Sequence, residues 1–459
     1  MLSKLLPSIV DIKRAEPLSF SRRRFLTLAG TTTAGTVLAS PLQMLYARVA
    51  NGQTILAEGY GSLISDPNGL LDLPRGFQYR AFSRVGDTMS DGRLVPDRHD
   101  GMAAFPGPNN TTILVRNHEH SPGDSTGVEA PDNLKYDPTN KGGTTTLIVG
   151  ANRKLIRDYA SLAGTYRNCA GGVTPWNSWI SCEENTSTPE TNRPGNANNV
   201  TKRHGYNFEV PSLAQGIVNP EPLVAMGRFN HEAVAIDPRT GIVYETEDRG
   251  DGLFYRFIPT QPGNLTNGVL EALRIQGRPQ AITRVGFPVG QKFAVDWVRI
   301  EDPDPAADTV RVEGFTKGAA QFTRGEGAWF GNNEVYFTCT NGGLAGVGQV
   351  WRYIPGATAQ DGGTIELFVE SPSQEVLDFP DNIVVSPFND LFLCEDGEGE
   401  QFVRGVTSQG QIYSFARNAF NTSEFAGACF SPNGQTMFLN IYRPGITFAI
   451  WGPWNRRKS

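Results

Sequence analysis

The chain has 459 residues and a net charge of −6, with 39% hydrophobic and 19% charged residues, a balance too apolar for intrinsic disorder. With no Lys/Arg-rich block beyond the extreme termini it has no footprint for a polyanion, so nucleic acid is excluded as a partner. Gly and Pro, 51 and 31 of them, are spread evenly, which suits one large β domain better than the roughly three domains of about 150 residues that length alone allows.

At the N-terminus, Ser21-Arg22-Arg23-Arg24-Phe25-Leu26-Thr27 runs into an uncharged stretch, Leu28 to Leu45, rich in Ala, Gly and Thr. This pattern reads as a twin-arginine signal peptide over residues 1–50, cleaved between Ala39 and Ala50. It predicts the twin-arginine export machinery as a partner and a periplasmic or secreted location. The stretch is short and polar for a membrane helix and no second apolar run follows, so no stable membrane anchor is expected. The mature chain, 51–459, is expected to be a single domain and a monomer.

From residue 51 onward short β-like runs are bounded by Gly, Pro, Asn or Asp, and strands dominate. Thr111–Val115 is an early example and leads to His118 and Glu119, a polar pair at a strand end expected to support a metal site from behind. Helical pieces are expected only around 128–134 and 291–299. Next comes Arg167-Asn-Cys-Ala-Gly-Gly-Val-Thr-Pro-Trp176, whose two glycines let the backbone approach an ion closely. Trp179-Ile-Ser-Cys182 follows and ends in Glu183 and Glu184; Trp176 and Trp179 are expected to pack between structural units. From Glu184 to His231 the chain is rich in Asn and Pro and reads as one surface loop. His204, inside it, and His99 read as loop histidines outside any site.

Beyond His231-Glu232 two phrases repeat. Asp237–Asp248, Ser386–Asp396 and Ser431–Asn440 are each a tight turn feeding an aromatic-rich strand. Leu253-Phe-Tyr-Arg-Phe-Ile-Pro259 and Gln349-Val-Trp-Arg-Tyr-Ile-Pro355 are near copies of one another. Hairpins recurring at such intervals predict an all-β fold, a β-propeller, with a sandwich or jelly roll as the alternative. Carboxylates recur at the strand ends: Glu183-Glu184, Glu247-Asp248 and Glu395-Asp396, joined by Glu232, Glu326 and Asp381. Inner propeller strands converge on one axis, so these acids predict an acidic, metal-binding central channel. So many like charges cannot be buried together unless cations neutralise them. With only five histidines in the chain, the donors are mainly oxygens, which suit hard ions.

The five cysteines, Cys169, Cys182, Cys339, Cys394 and Cys429, form no CxxC pair, and their odd number suggests no disulfide framework. At least one thiol is left over, either a small buried hydrophobe or a metal thiolate. Cys169 beside carboxylates suggests a transition metal as well as calcium.

Taken with the arginine leader, the segments Asp100–Phe105, Arg116-Asn-His-Glu119, Asn168–Trp176 with Ser181-Cys-Glu-Glu184, Phe229-Asn-His-Glu232, Tyr244–Asp248, Arg324-Gly-Glu-Gly327 and Phe430–Gly434 through Gly452-Pro-Trp454 give the chain a specific likeness. It resembles the PhoX family of secreted alkaline phosphatases from about residue 55 to the C-terminus. The resemblance implies a propeller whose centre holds ferric iron and calcium joined through an oxo bridge, hydrolysing a small phosphate-ester substrate. It further implies Cys169 and Glu326 as iron ligands, Glu232, Glu247, Asp248, Asp381, Glu395 and Asp396 as further metal ligands beside the acid pair Glu183 and Glu184, which the residues themselves make candidate metal ligands, and Arg324 as the phosphate clamp, so that catalysis falls to Arg324, Cys169 and Glu326. Two other functions fit the residues alone: a calcium-dependent propeller hydrolase of the lactonase or phosphotriesterase kind, and a non-catalytic propeller scaffold stabilised by calcium. A thiol remote from the channel would favour the first, and an Arg324 paired to a surface acid the second.

Overall fold

Strands such as Val243–Glu247 and Leu391–Glu395 are buried at every residue, because each sheet is covered on both faces by a neighbouring sheet. In a computed structural model that describes residues 55–191, 199–358 and 360–457, five antiparallel sheets, one of them nine-stranded and spanning two blades, stand around an axis as the six blades of a β-propeller. The all-β propeller expected from the sequence is the fold observed. The proposed leader lies outside the described residues.

From the axis outward, blade 1 is His99–Pro106, Thr112–His118, Gly142–Val149 and Leu155–Thr165, and blade 2 is Asn168–Val173, Ser178–Glu183 and Asn207–Pro211. Blade 3 is His231–Ile236, Val243–Glu247, Phe254–Gln261 and Asn264–Ile275; blade 4 is Gly325–Gly331, Glu334–Cys339, Gln349–Ile354 and Thr364–Glu370. Blade 5 is Pro380–Val385, Leu391–Glu395, Phe402–Val406 and Ile412–Asn418, extended outward by Leu71–Pro74 and Leu63–Ile64. Blade 6 is Phe425–Phe430, Met437–Ile441 and Ile446–Trp451, completed by Gln78–Arg84 from the N-terminal side of the described chain. That strand closes the ring.

The apolar side chains fall into clusters at the six blade-to-blade seams. Ile113 and Phe105 meet Trp179 and Phe208 between blades 1 and 2. Ile180 meets Val234 and Val243 at the next seam, Phe254 meets Phe337 at the third, and Tyr336 meets Leu391 at the fourth. Phe392 and Phe415 meet Phe425 and Phe448 between blades 5 and 6, and Phe438 meets Leu114 where the ring closes. Each fully buried large apolar side chain contributes about 1.5–3 kcal/mol, so stability is distributed over the seams and the axis is left for polar groups.

Three local expectations are corrected. Lys292–Arg299 is a strand, not a helix, bridging the outer edges of blades 3 and 4; its buried Phe293, Val295 and Val298 serve a sheet as well as a helix. Around 128–134 there is one short 3-10 turn, Asp132–Leu134, whereas a helix forms at Val310–Thr316. The segment from Glu184 to His231 is more than a loop, since Asn207–Pro211 pairs with Ser178–Glu183 as the outer strand of blade 2.

Candidate metal centre

Every inner strand carries a register irregularity at the same place, where two residues face one on the second strand. The first of the two residues is, in blade order, Asp100, Cys169, Glu232, Glu326, Asp381 and Gly427; the second is Gly101, Ala170, Ala233, Gly327, Asn382 and Ala428. A bulge of this kind re-aims a side chain and bends its strand. The second residues line a cavity of only about 20 Å³ together with Gly171, Ala328 and Trp329, so the channel is plugged directly beside the bulges.

Side chains of neighbouring blades pin the bulges. Asn117 Nδ2 donates to the carbonyls of Cys169 and Ala170 at 3.1 and 2.7 Å. The Thr246 hydroxyl donates to Glu326 O at 2.5 Å and the Thr338 hydroxyl to Asp381 O at 2.7 Å. Asn382 Oδ1 accepts from Gly427 N at 2.6 Å, and Asn440 Nδ2 donates to Asp100 O at 2.8 Å.

One residue past each second strand lies another ring position, occupied by Glu119, Glu184, Asp248, Thr340, Asp396 and Tyr442. With Glu424, which immediately precedes the inner strand of blade 6, the two rings yield three linked ligand sets: Cys169, Glu184 and Glu232; Glu232, Glu326 and Asp381; Asp381, Asp396 and Glu424. Within each set the donor atoms lie within 4.8 Å of one another. Shared Glu232 and Asp381 make them one continuous acidic arc.

The paired acids divide by strand parity. Glu184, Asp248 and Asp396 join the arc; Glu183, Glu247 and Glu395 do not. Glu183 Oε1 accepts from His204 Nδ1 at 2.8 Å and Tyr166 N at 2.9 Å, and its Oε2 from Gly205 N at 2.9 Å. Glu247 Oε2 accepts from the Tyr255 hydroxyl at 2.6 Å. Glu395 Oε1 accepts from Arg404 Nε at 2.7 Å and Asp378 N at 2.9 Å. Glu183 ties blade 2 to blade 1 through His204 and Asp137, and Glu247 and Glu395 are held within blades 3 and 5, where ligands were expected. Histidines are engaged likewise: His204 lies in a loop, as expected, but is buried as a bridge between Glu183 and Asp137, and His99 is a buried strand residue bonded to Pro96 O and Arg116. Trp179 is buried with its Nε1 donating to Asn117, while Trp176 is half-buried against Glu209.

Two arginines span the mouth of the arc. Arg324 donates from Nε to Asp248 at 2.9 Å and from Nη2 to Glu326 at 2.6 Å. Arg167 donates from Nε to Glu119 at 2.8 Å and from Nη2 to Glu184 at 2.6 Å. Glu184 and Asp248 also contact each other, and the Tyr442 hydroxyl donates to Glu119. His118 turns away, to Thr145 and Asp97 O. Asp100, Glu119, Arg167 and Glu424 are the members that sequence pairs did not single out as ligands or clamps. The acid-then-small dipeptides Asp100-Gly101, Glu232-Ala233 and Glu326-Gly327 are the signal that could have found Asp100.

Nine carboxylates (Asp100, Glu119, Glu184, Glu232, Asp248, Glu326, Asp381, Asp396, Glu424) and one thiol thus face two guanidiniums. Burial, then neighbouring acids, pushes Asp100, Glu232, Glu326 and Glu424 well above the usual carboxylate range. Asp381 is pushed to about 7 by burial and Asp396. Burial and Glu232 push the Cys169 thiol up as well. For Asp248 burial raises the pKa, but the hydrogen bond and charge of Arg324, together with hydrogen bonds to Glu184 and Glu326, outweigh it, and its carboxyl lies low. Without cations the arc cannot ionise fully. Glu232 is 2% exposed and has no cationic partner among the described residues. A thiol and buried oxygens without cationic partners are a donor set that fits metal ions.

Residues 58–445 match a family model described as alkaline phosphatase PhoX. Among solved structures, Pseudomonas fluorescens PhoX in complex with vanadate, a transition state analogue, superposes with a TM-score of 0.66 at 17% identity, over 87% of this chain and 98% of that one. A gluconolactonase from Xanthomonas campestris gives a TM-score of 0.41 at 12% identity, over 86% and 98% of the two chains. A luciferin-regenerating enzyme gives 0.43 at 9%, over 84% and 97%. Among curated proteins nothing matches significantly.

Proposed function

Because the chain belongs to the PhoX family of alkaline phosphatases, and so is a metal-dependent phosphomonoesterase, we propose that its acidic arc holds ferric iron around Cys169, Glu232 and Glu326 and calcium around Glu184, Asp248, Asp381, Asp396 and Glu424. The observation that carries this is Cys169 in the bulge ring, its donor atom within 4.8 Å of those of Glu184 and Glu232. A thiolate in the set selects a transition metal, and carboxylates alone suit calcium. Bound there, such cations neutralise phosphoryl oxygens and activate an attacking oxygen.

The protein's own groups orient the ester. Arg324 is held through Nε and Nη2 by Asp248 and Glu326 at the mouth, which leaves the two N–H groups of Nη1 to donate to phosphoryl oxygens. No hydroxyl nucleophile is needed: the threonine hydroxyls beside the bulges, Thr246 and Thr338, are spent on backbone carbonyls. A calcium-only lactonase has no use for Cys169, and a scaffold would pair Arg324 with a surface acid, whereas Asp248 and Glu326 both belong to the arc. The arginine leader supports export through the twin-arginine route after the cations are inserted, to the periplasm or beyond, as a monomer.

Elemental analysis of exported protein purified without chelator tests the cations, with p-nitrophenyl phosphate hydrolysis at alkaline pH for wild type and Cys169→Ala. Iron and calcium together, with activity lost at least about 100-fold in the variant, are the expected result. Calcium alone without phosphatase activity would overturn the proposal.

A further inference from the structure

The phosphatase reading above uses one arginine, but the propeller repeats its position. Two residues ahead of each bulge stand Arg98, Arg167, Asn230, Arg324, Phe379 and Phe425. Arg98, Arg167, Arg324 and Phe379 all have positive φ, at 51°, 50°, 45° and 48°. For non-glycine residues this left-handed conformation is strained by about 1–3 kcal/mol, and such strain collects at sites that use it.

The three arginines are not equivalent in what they leave free. Arg98 is committed to the rim, with Nη1 on Glu119 O and Nη2 on Asp124, and its side chain is 19% exposed. Arg167 and Arg324 match one another. Each engages two acids through Nε and Nη2 and keeps Nη1 without a partner among the described residues. Their side chains are 40% and 34% exposed.

They are also joined. Arg167 contacts Glu184, Glu184 contacts Asp248, and Asp248 contacts Arg324, so two forks flank the mouth above Cys169 and Glu232 with one acid pair between them. Those acids belong to the proposed ligand sets, and an acid that ligates a cation has less charge to offer a guanidinium. Arg167 keeps Glu119, itself fixed by the Tyr442 hydroxyl.

We propose that Arg167 is a second phosphate-contacting residue, a guanidinium that binds the phosphoryl group of the monoester from the side opposite Arg324. This rests on the phosphatase reading for its substrate. A phosphomonoester dianion carries three non-bridging oxygens, more than one fork can satisfy, and two guanidiniums supply donors for all of them.

The test is titration of metal-loaded protein with orthophosphate, by calorimetry, for wild type, Arg167→Gln, Arg167→Lys and Arg324→Gln. Metal content is measured on the same samples, and KM and kcat with p-nitrophenyl phosphate in parallel. Arg167→Gln is expected to weaken orthophosphate binding about tenfold or more and to raise KM, with metal content kept; Arg167→Lys is expected to recover part of the loss, because charge returns without the fork. Orthophosphate affinity in metal-loaded Arg167→Gln equal to that of wild type would overturn the proposal and leave Arg167 as an ion-pair bridge, as would wild type that binds no orthophosphate. Wild type that binds orthophosphate but hydrolyses no ester would overturn the phosphatase reading instead, and the binding comparison would still decide Arg167.

Discussion

Asn117 spends its whole side-chain amide inside the protein. Its Oδ1 accepts from Trp179 Nε1 and Ser181 Oγ, both at 2.9 Å, and its Nδ2 holds the carbonyls of Cys169 and Ala170. Asn117→Asp keeps the shape but turns an acceptor toward two carbonyls, and each buried polar group left unpaired costs about 1–3 kcal/mol. A loss of at least about 3 kcal/mol in denaturant unfolding is expected, along with weaker metal retention. Glu183 and Glu184 separate stability from metal binding in the same way. Glu183→Gln is expected to lower unfolding stability, because it weakens a buried ion pair with His204. Glu184→Gln removes a repelled charge, so the metal-free protein is expected to be no less stable while metal affinity falls about 10–100-fold; paired denaturation and metal titration distinguish the two. Such acid pairs were legible in the sequence as pairs. Which member faces the axis was not, because parity is set by the bulge on the opposite strand. Glu424 is a lone acid with no repeat around it, and only the packing of blade 6 on blade 5 brings it to Asp381 and Asp396.

At the scale of the element, the bulge is the unit that makes the centre. Its second residue is small wherever the axis is tight: a Cβ on Gly327 would lie 2.6 Å from Asp381 O and 2.8 Å from the Asn382 Cα. Gly327→Ala is therefore expected to cost about 1–3 kcal/mol by overpacking, and to displace the blade that carries Asp381. Reduced metal content together with a lower unfolding midpoint checks this. The repeated turn-and-strand phrases exposed the blades because hairpin chemistry is local. The bulge register stayed hidden, since Asp-Gly, Cys-Ala, Glu-Ala, Glu-Gly and Asp-Asn look alike only after superposition. Lys292–Arg299 was misjudged because a short apolar run fits either period, and pairing with two outer strands decided the matter.

For the whole molecule, acidity is managed in two ways: cations for the arc, and fixed partners for the acids behind it. His204 is the clearest of those partners. Burial lowers its pKa, but Glu183 and Asp137 outweigh burial and bring it up to about 9 from 6.5. The folded state then holds a proton that the unfolded chain has released, so this contribution is complete below pH 6.5 and is lost as pH rises through 9. Its size is about 3 kcal/mol. Unfolding stability of wild type is expected to fall between pH 6.5 and 10 by more than that of His204→Gln, and denaturant titrations at the two pH values measure the difference.

The strand Gln78–Arg84 completes the blade that also holds Phe425–Phe430. A ribosome emits the earlier strand long before its companions; at about 5–20 residues per second the interval is roughly 20–70 s. Through that interval the nascent chain can stack blades one upon another, yet it cannot own the metal centre, because Glu424 is among the last acids translated. The carboxylates therefore meet only when synthesis is nearly over. A cation can be held across blades 5 and 6, between Asp381, Asp396 and Glu424, only once the chain is almost fully made.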